Sequence, residues 1–299
     1  LVKKLKSSMK LFKKFFTATI IVLIVLSVAG IIYVLQFEEE KPAIIKQPKK
    51  ATKKIVVPPI GKPKSLSAKS APSREVAIII DDIGYDLKAV KELLKIEANL
   101  TFAILPFQAH SREAAEMFHK AKRETLLHLP MEPVSYPQEK PGEGALFTDM
   151  NKDELLLQLR KNIAAVPYVV GVNNHMGSRI MVDDQKLSLI FRELKSKNLF
   201  FVDSRTSPDT KALSIAKAAG LNMAERKIFM DNNRNYNETY NTLMSVAGSE
   251  DDFPKIIIGH PHPETVKALK NAVKVMREKG VSIVPASQII KKNSKRNHS

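Results

Sequence analysis

The chain has 299 residues, a formal charge of +17 and no cysteine. Without cysteine, thiol nucleophiles, thiolate metal ligands and disulfides are excluded. Residues 1–74 hold 16 lysines and arginines but only three acidic residues, a net +13, so the rest of the chain carries only +4. A basic face for the phosphate backbone of nucleic acids is therefore not expected.

The N-terminal segment predicts a membrane anchor. Residues 15–37 contain no ionisable side chain except Tyr33, and as a helix they would span about 34 Å, enough for a hydrocarbon core of ~30 Å. Because lysine-rich flanks stay cytoplasmic, we expect a cytoplasmic segment 1–14, a transmembrane helix 15–37 and a periplasmic remainder at a bacterial inner membrane. A cleaved signal peptide is the alternative, but the apolar stretch is long and no small-x-small cleavage site ends it.

The segment after the anchor is predicted to be a linker. Residues 38–74 are rich in Lys, Pro and Ser and cannot bury a core. We expect the folded domain to cover residues 75–292 and a disordered basic tail to cover 293–299.

Short apolar runs alternate with segments of helical spacing along the folded domain, which predicts an α/β fold. The predicted strands are residues 76–80, 100–105, 125–129, 168–172, 199–202, 227–230, 256–259 and 281–284. The predicted helices are residues 87–96, 111–121, 151–165, 185–197, 210–219, 237–247 and 264–279.

Polar residues follow the predicted strands at their C-terminal ends. In chain order these are Asp81-Asp82, Pro106, His128, Asn173-Asn174-His175, Asp203-Ser204-Arg205, Asp231-Asn232, His260-Pro261-His262 and Ser287. In a barrel of alternating strands and helices these ends open on one face, where active sites lie. The pattern therefore predicts one pocket, and an enzyme or a former enzyme.

Three of these residues form a candidate metal site. Asp82, His128 and His175 would supply one carboxylate and two imidazoles and leave positions open for water and substrate, as catalytic zinc sites do. Glu132 is a further candidate ligand, or a residue that orients His128. The alternatives are helix capping by the aspartate and a hydrogen-bonded core histidine. The same ligand set also suits non-haem iron oxygen chemistry, but no co-substrate site is recognisable.

Other residues at this face have candidate roles in catalysis and binding. His260 or His262 could act as general acid, because histidine titrates near neutral pH. Asp203 and Arg205 would lie at the rim, as substrate-binding residues or as a structural pair. Asn174 and Arg179 are assigned to substrate binding with them, although asparagine also caps turns.

Together these stretches resemble the divergent polysaccharide deacetylase family, a distant branch of the NodB-type carbohydrate esterases. The resemblance covers about residues 75–292. It is carried by Ile-Asp-Asp-Ile-Gly, His-Leu-Pro-Met-Glu-Pro, Gly-Val-Asn-Asn-His-Met-Gly-Ser-Arg, Phe-Val-Asp-Ser-Arg-Thr-Ser and Gly-His-Pro-His-Pro-Glu-Thr.

The resemblance implies a distorted (β/α) barrel of about seven to eight strands, a divalent metal, most simply zinc, and hydrolysis of N-acetyl groups on a cell-wall or surface polysaccharide. Asp81 matches the catalytic base of the family and Asp82 its metal-binding aspartate. The family's His-x-x-x-His pattern is altered, because Glu132 and Arg179 stand at the second histidine position after His128 and His175. A non-catalytic glycan-binding or regulatory domain that keeps the pocket is therefore the alternative function.

Overall fold

The computed structural model describes residues 74–250 and 253–296. Its strands are β1 Arg74–Ile83, β2 Thr101–Ile104, β3 Glu124–Met131, β4 Gly171–Met176, β5 Phe200–Asp203, β6 Met223–Glu225, β7 Ile228–Phe229, β8 Lys255–Gly259 and β9 Val281–Ile283. Its helices are α1 Leu87–Leu94, α2 Ser111–Lys120, α3 Lys152–Ala165, α4 Asp184–Ser196, α5 Ala212–Ala219, α6 Tyr236–Gly248, α7 Pro263–Glu278 and α8 Ala286–Arg296, with a 3-10 turn at Ile180–Val182.

The strands make one sheet in which every pairing is parallel. The order is β6-β5-β4-β3-β2-β1-β8-β7, and β9 pairs with the beginning of β1. Strands β6 and β7 are consecutive in the chain, yet no ladder joins them within the described residues. The fold is therefore an α/β barrel left open at that position, in agreement with the predicted distorted (β/α) barrel.

The two faces of the sheet belong to different apolar clusters because side chains alternate along each strand. Residues such as Ile78, Ile80 and Phe102 pack against the surrounding helices. A smaller inner cluster contains Ala77, Ile79, Ala103, Leu126, Val202, Ile256 and Ile258. One further step of the same alternation points Asp81, His128 and His260 to the inner face at the C-terminal ends of their strands.

Helix α8 fills the inner face from the N-terminal ends of the strands. Ile289 and Ile290 are buried with the inner cluster, and Lys292 Nζ lies 2.6 Å from Glu75 Oε1 at the start of β1. This helix extends through residues 293–296, which were predicted to belong to a disordered tail. Helix α8 was not predicted because its sequence is mostly polar and contains only a few apolar residues.

The position of Ser287 also differs from its prediction. It was predicted to follow a strand at the pocket face, but it lies in the first turn of α8. Its backbone N–H donates to Glu124 Oε1 at the N-terminal end of β3. Ser287 is therefore at the opposite end of the barrel from the polar strand ends.

Arg74 anchors the first strand. Its guanidinium donates to the carbonyl oxygens of Ala247 and Lys279, at the C-terminal ends of α6 and α7, at 2.8 and 3.0 Å. It also lies over the ring of Phe253, 5.2 Å from the centroid. The start of β1 is thus fixed to two helices as well as to the sheet.

No helix within residues 74–250 and 253–296 is both long enough and apolar enough to cross a membrane. The predicted transmembrane helix 15–37, its flanking segment 1–14 and almost all of the linker 38–74 lie outside the described residues.

Candidate functional site

The end of β1 brings two adjacent carboxylates to the same place. The register between β1 and β2 shifts between Ile80 and Ile83, and Asp82 has φ 55°. This local irregularity breaks the strict alternation that would send neighbouring side chains to opposite faces. As a result Asp81 Oδ2 and Asp82 Oδ1 lie 3.6 and 3.2 Å from the same atom, His128 Nε2.

Three atoms from the ends of β1, β3 and β4 form a nearly equilateral triangle. Asp82 Oδ1 is 3.2 Å from His128 Nε2 and 3.2 Å from His175 Nδ1, and the two nitrogens are 3.2 Å apart. Tetrahedral zinc with bonds of ~2.0–2.1 Å holds its ligand atoms about 3.3 Å apart. The spacing of the triangle therefore matches a zinc ligand set.

The hydrogen bonding of Asp82 is also that of a metal ligand. Its Oδ1 is shielded from solvent and accepts no hydrogen bond of normal geometry among the described residues, although the ring nitrogens of His128 and His175 face it at 3.2 Å. A buried carboxylate oxygen without a partner is costly unless a cation or a donor satisfies it. One carboxylate and two imidazoles converging on a common point fit a divalent ion.

The charges at this cluster are strongly coupled. Burial alone would raise the pKa of Asp82, but the adjacent rings of His128 and His175 hold it far below its usual range. Burial alone would lower the pKa of His128, yet the carboxylates of Asp81 and Asp82 raise it to about 9. Burial raises the pKa of Asp81, and the charge of His128 opposes that rise only in part.

Asn173 connects Asp81 with His128. Its Nδ2 donates to Asp81 Oδ1 at 2.8 Å, and its Oδ1 lies 2.9 Å from His128 Nδ1. Asn173 is fully buried and was not among the predicted site residues. The signal for it is the strand alternation, because Asn173 and His175 share one face of β4 and Asn174 faces the other.

A second group lies beside the triangle. Asp231 Oδ1 is 3.2 Å from His260 Nδ1, and Asp231 Oδ2 accepts from His260 N at 2.7 Å and from Thr265 Oγ1 at 2.8 Å. His260 Nε2 lies 3.9 Å from Asp82 Oδ2. Both oxygens of Asp231 are thus engaged, and this carboxylate orients the imidazole of His260. His262 also lies close enough for Asp231, His260 and His262 to form a second cluster of possible metal ligands.

The two predicted acid candidates have opposite electrostatic settings. Burial alone would lower the pKa of His260, but the hydrogen bond to Asp231 and its charge raise it. Burial and the nearby Arg234 lower the pKa of His262. His260 is therefore better suited than His262 to hold a proton at neutral pH.

The structure does not bring Glu132 into the cluster. Its Oε2 accepts from the backbone N–H and the hydroxyl of Thr148 at 2.7 and 2.6 Å. Its Oε1 is 3.4 Å from Arg179 Nε, and Arg179 Nη2 donates to Val134 O. Glu132 and Arg179 thus hold the long loop between β3 and α3 in place.

Asn174 and Asp203 hold neighbouring loops. Asn174 Oδ1 accepts from Ser204 N at 2.8 Å. Asp203 accepts from Arg205 N at 2.7 Å and from Thr210 Oγ1 at 2.8 Å. These contacts support a structural contribution for both residues, which had been assigned to substrate binding.

Arg205 has a different environment from Asp203. Its Nη1 lies 3.2 Å from Glu225 Oε1, so the Asp203–Arg205 contact runs through the backbone N–H of Arg205 rather than through its guanidinium. The guanidinium stays partly exposed at the ends of β5 and β6.

Backbone strain concentrates at the same strand ends. Four non-glycine residues there have a positive φ, namely Asp82, Phe107, Met176 and Arg205. Such conformations cost of order 1–3 kcal/mol each and persist where surrounding contacts impose them. The other non-glycine cases follow the ends of helices and are Lys122, Tyr168 and Asn198.

A well-defined cavity of the described residues lies away from the triangle. It has a volume of about 550 Å³ and is lined by residues such as Glu97, Arg123 and Arg277 and by β9, at the N-terminal ends of the strands. It includes none of the residues of the triangle. The triangle is therefore at the opposite end of the barrel from this cavity.

Comparison with known proteins agrees with this geometry. The model of the divergent polysaccharide deacetylase family matches residues 78–290. The chain is 34% identical over 232 residues to the uncharacterized protein YibQ of Escherichia coli, covering 76% of this chain and 71% of that one. An uncharacterized protein of Haemophilus influenzae is 31% identical over 207 residues, with coverages of 68% and 72%.

Among solved structures, an uncharacterized protein from Agrobacterium tumefaciens is similar with a TM-score of 0.70. The match covers 73% of this chain and 90% of that one at 19% identity. At this level of identity the similarity shows a shared fold.

Proposed function

The chain belongs to the divergent polysaccharide deacetylase family, and from that premise we propose that it is a metal-dependent hydrolase that removes N-acetyl groups from a cell-envelope polysaccharide. The observation that carries the proposal is the triangle of Asp82, His128 and His175 with the buried carboxylate of Asp81 beside it. A non-peptide C–N bond of an acetamido sugar would be cleaved at this point.

Asp82, His128 and His175 would hold the divalent ion, for which zinc suits the ligand types best. Bound there, the ion supplies Lewis-acid chemistry, which polarises an acetyl carbonyl and makes water a stronger acid. Asp82, His128 and His175 are 46 and 47 residues apart in sequence, so the barrel itself assembles the site.

Asp81 would act as the general base. Its raised pKa brings it closer to the working range of a base, and the amide of Asn173 holds one of its oxygens. The other oxygen is directed at the metal-ligand cluster, where a water molecule would be activated.

His260 would protonate the leaving amine. Asp231 fixes its ring and favours its protonated form, while its Nε2 faces the carboxylate of Asp82. This hydrolysis requires one base and one acid, and the different environments of Asp81 and His260 suit them to these two roles.

Exposed aromatic side chains support a sugar as the ligand. Tyr85 follows β1 and is 61% exposed, and Tyr136 lies in the loop after β3. Aromatic rings with one accessible face bind the apolar faces of sugar rings well. This feature would serve a deacetylase and a glycan-binding module equally.

The experiment is release of acetate by the zinc-loaded full-length protein from a partly acetylated amino-sugar oligomer. Asp81→Asn should lower release by ~10²–10⁴-fold with zinc still bound, because the base is removed and the ligands stay. Equal release by wild type and Asp81→Asn would contradict the assignment of the base. Glycan binding without acetate release under any divalent metal would instead establish the glycan-binding module.

We also propose that the folded domain is periplasmic and held at the inner membrane by residues 15–37. The support is the sequence alone, in which lysines precede this apolar segment and glutamates follow it. A polysaccharide of the cell envelope would then be within reach of the domain.

A further inference from the structure

Asn173 occupies a position that no role in the proposed reaction has yet used. It lies directly opposite His128 in the register between β3 and β4, so the two side chains point to the same face. Its amide group is fully buried between two ionisable side chains. The Nδ2 atom also lies 3.4 Å from Ser204 Oγ.

The two polar atoms of Asn173 determine each other's partners. An ionised carboxylate only accepts hydrogen bonds, so Asp81 must face the NH₂ group of the amide. The carbonyl oxygen then has to face His128 Nδ1. Since that oxygen only accepts, Nδ1 must carry a proton, and the lone pair of the neutral ring is left on Nε2, which faces the ligand triangle.

We propose that Asn173 is a positioning residue that fixes the tautomer of His128 for metal binding and ties it to the orientation of Asp81. The inference rests on the proposed function, because it assigns a purpose to the same site. Asparagine provides a donor and an acceptor within one short side chain. Aspartate offers only the acceptor when ionised, and leucine, of similar size, offers neither.

The test compares zinc affinities of the full chain carrying Asn173→Leu, Asn173→Asp or Asn162→Leu. Asn162 is a matched control because it is also fully buried and makes two hydrogen bonds, to Gly144 O and from Gln158 Nε2. We expect zinc affinity to fall about 10- to 100-fold in Asn173→Leu, the usual effect of losing a partner of a ligating histidine. Asn162→Leu should keep the wild-type affinity, and Asn173→Asp, which keeps the acceptor, should lose less affinity than Asn173→Leu.

A second readout needs neither metal nor substrate. Long-range ¹H–¹⁵N spectra of the metal-free protein above pH 9, where the His128 ring is neutral, should show a protected Nδ1–H on His128 in wild type and Asn173→Asp, and its loss in Asn173→Leu. Persistence of that signal in Asn173→Leu, or equal losses of zinc affinity in Asn173→Leu and Asn173→Asp, would overturn the inference. If wild type bound no zinc, the proposed function would fail and the ring signal alone would decide the role of Asn173.

Discussion

Zinc binding should weaken steeply as the pH falls, because a proton competes for the same nitrogen of His128. In the metal-free protein the carboxylates of Asp81 and Asp82 raise the pKa of His128 to about 9. The ring is therefore protonated on both nitrogens at neutral pH. Zinc requires a free lone pair on Nε2, so binding must release that proton.

The magnitude follows from the pKa. Below pH 9 each unit of pH costs a factor of ten in apparent affinity from His128 alone, about 1.4 kcal/mol. Between pH 8 and pH 6 the apparent zinc affinity should therefore drop about 100-fold. The apparent zinc affinity must fall as the pH falls, because the His128 ring is protonated below its raised pKa. Competition from the proton fades only as the pH approaches 9.

Competition with a chromophoric chelator at pH 6, 7 and 8, corrected for protonation of the chelator, measures this slope. Calorimetry in buffers of different ionisation enthalpy measures the proton released. Asp81→Asn is an informative control, since it removes a charge that raises the pKa of His128 and should make the slope shallower at the alkaline end of this range. A zinc affinity that stayed constant from pH 6 to pH 8 would refute the reasoning.

The remaining predictions concern different parts of the chain. Asp231→Asn should move the alkaline limb of acetate release to lower pH, because Asp231 raises the pKa of His260; an unmoved limb would assign the acid elsewhere. Asn151→Ala should lower the free energy of unfolding, measured in urea, by about 1 kcal/mol, because Asn151 forms a capping box with Glu154 at the start of α3. A loss below about 0.3 kcal/mol would show that water replaces the cap. Protease added to spheroplasts should remove residues 38–299 and leave a small anchored fragment, whereas full protection would reverse the topology. The protein should show no salt-sensitive affinity for DNA, and binding that fell steeply with salt would contradict this.

The alternation of side chains between the two faces of a strand explains how far the site could be predicted. Polar residues at strand ends indicated one face of the barrel, and Asp82, His128 and His175 do lie together there. Asn174 was predicted and Asn173 was not, although alternation along β4 places Asn173 on the face of His175. The register agrees, because Asn173 lies opposite His128 and Asn174 opposite Leu129.

The elements that escaped prediction are those whose stability comes from tertiary contacts. Strand β6 has three residues and exists because Ala224 pairs with Val202 beside the inner cluster. Helix α8 has a polar sequence in which Ile289 and Ile290 supply the buried contacts. Periodicity over so few apolar residues is too weak to identify either element.

The placement of β1 has a mechanical consequence. Its parallel neighbours are β2, β8 and β9, and the chain enters this strand at Arg74. A force applied to Arg74 along the strand direction would shear three hydrogen-bonded ladders together, rather than opening one ladder bond by bond. The guanidinium of Arg74 shares that load with the ends of α6 and α7, so a pull on the preceding segment would reach the helices before it could displace Asp81 and Asp82 at the far end of the strand.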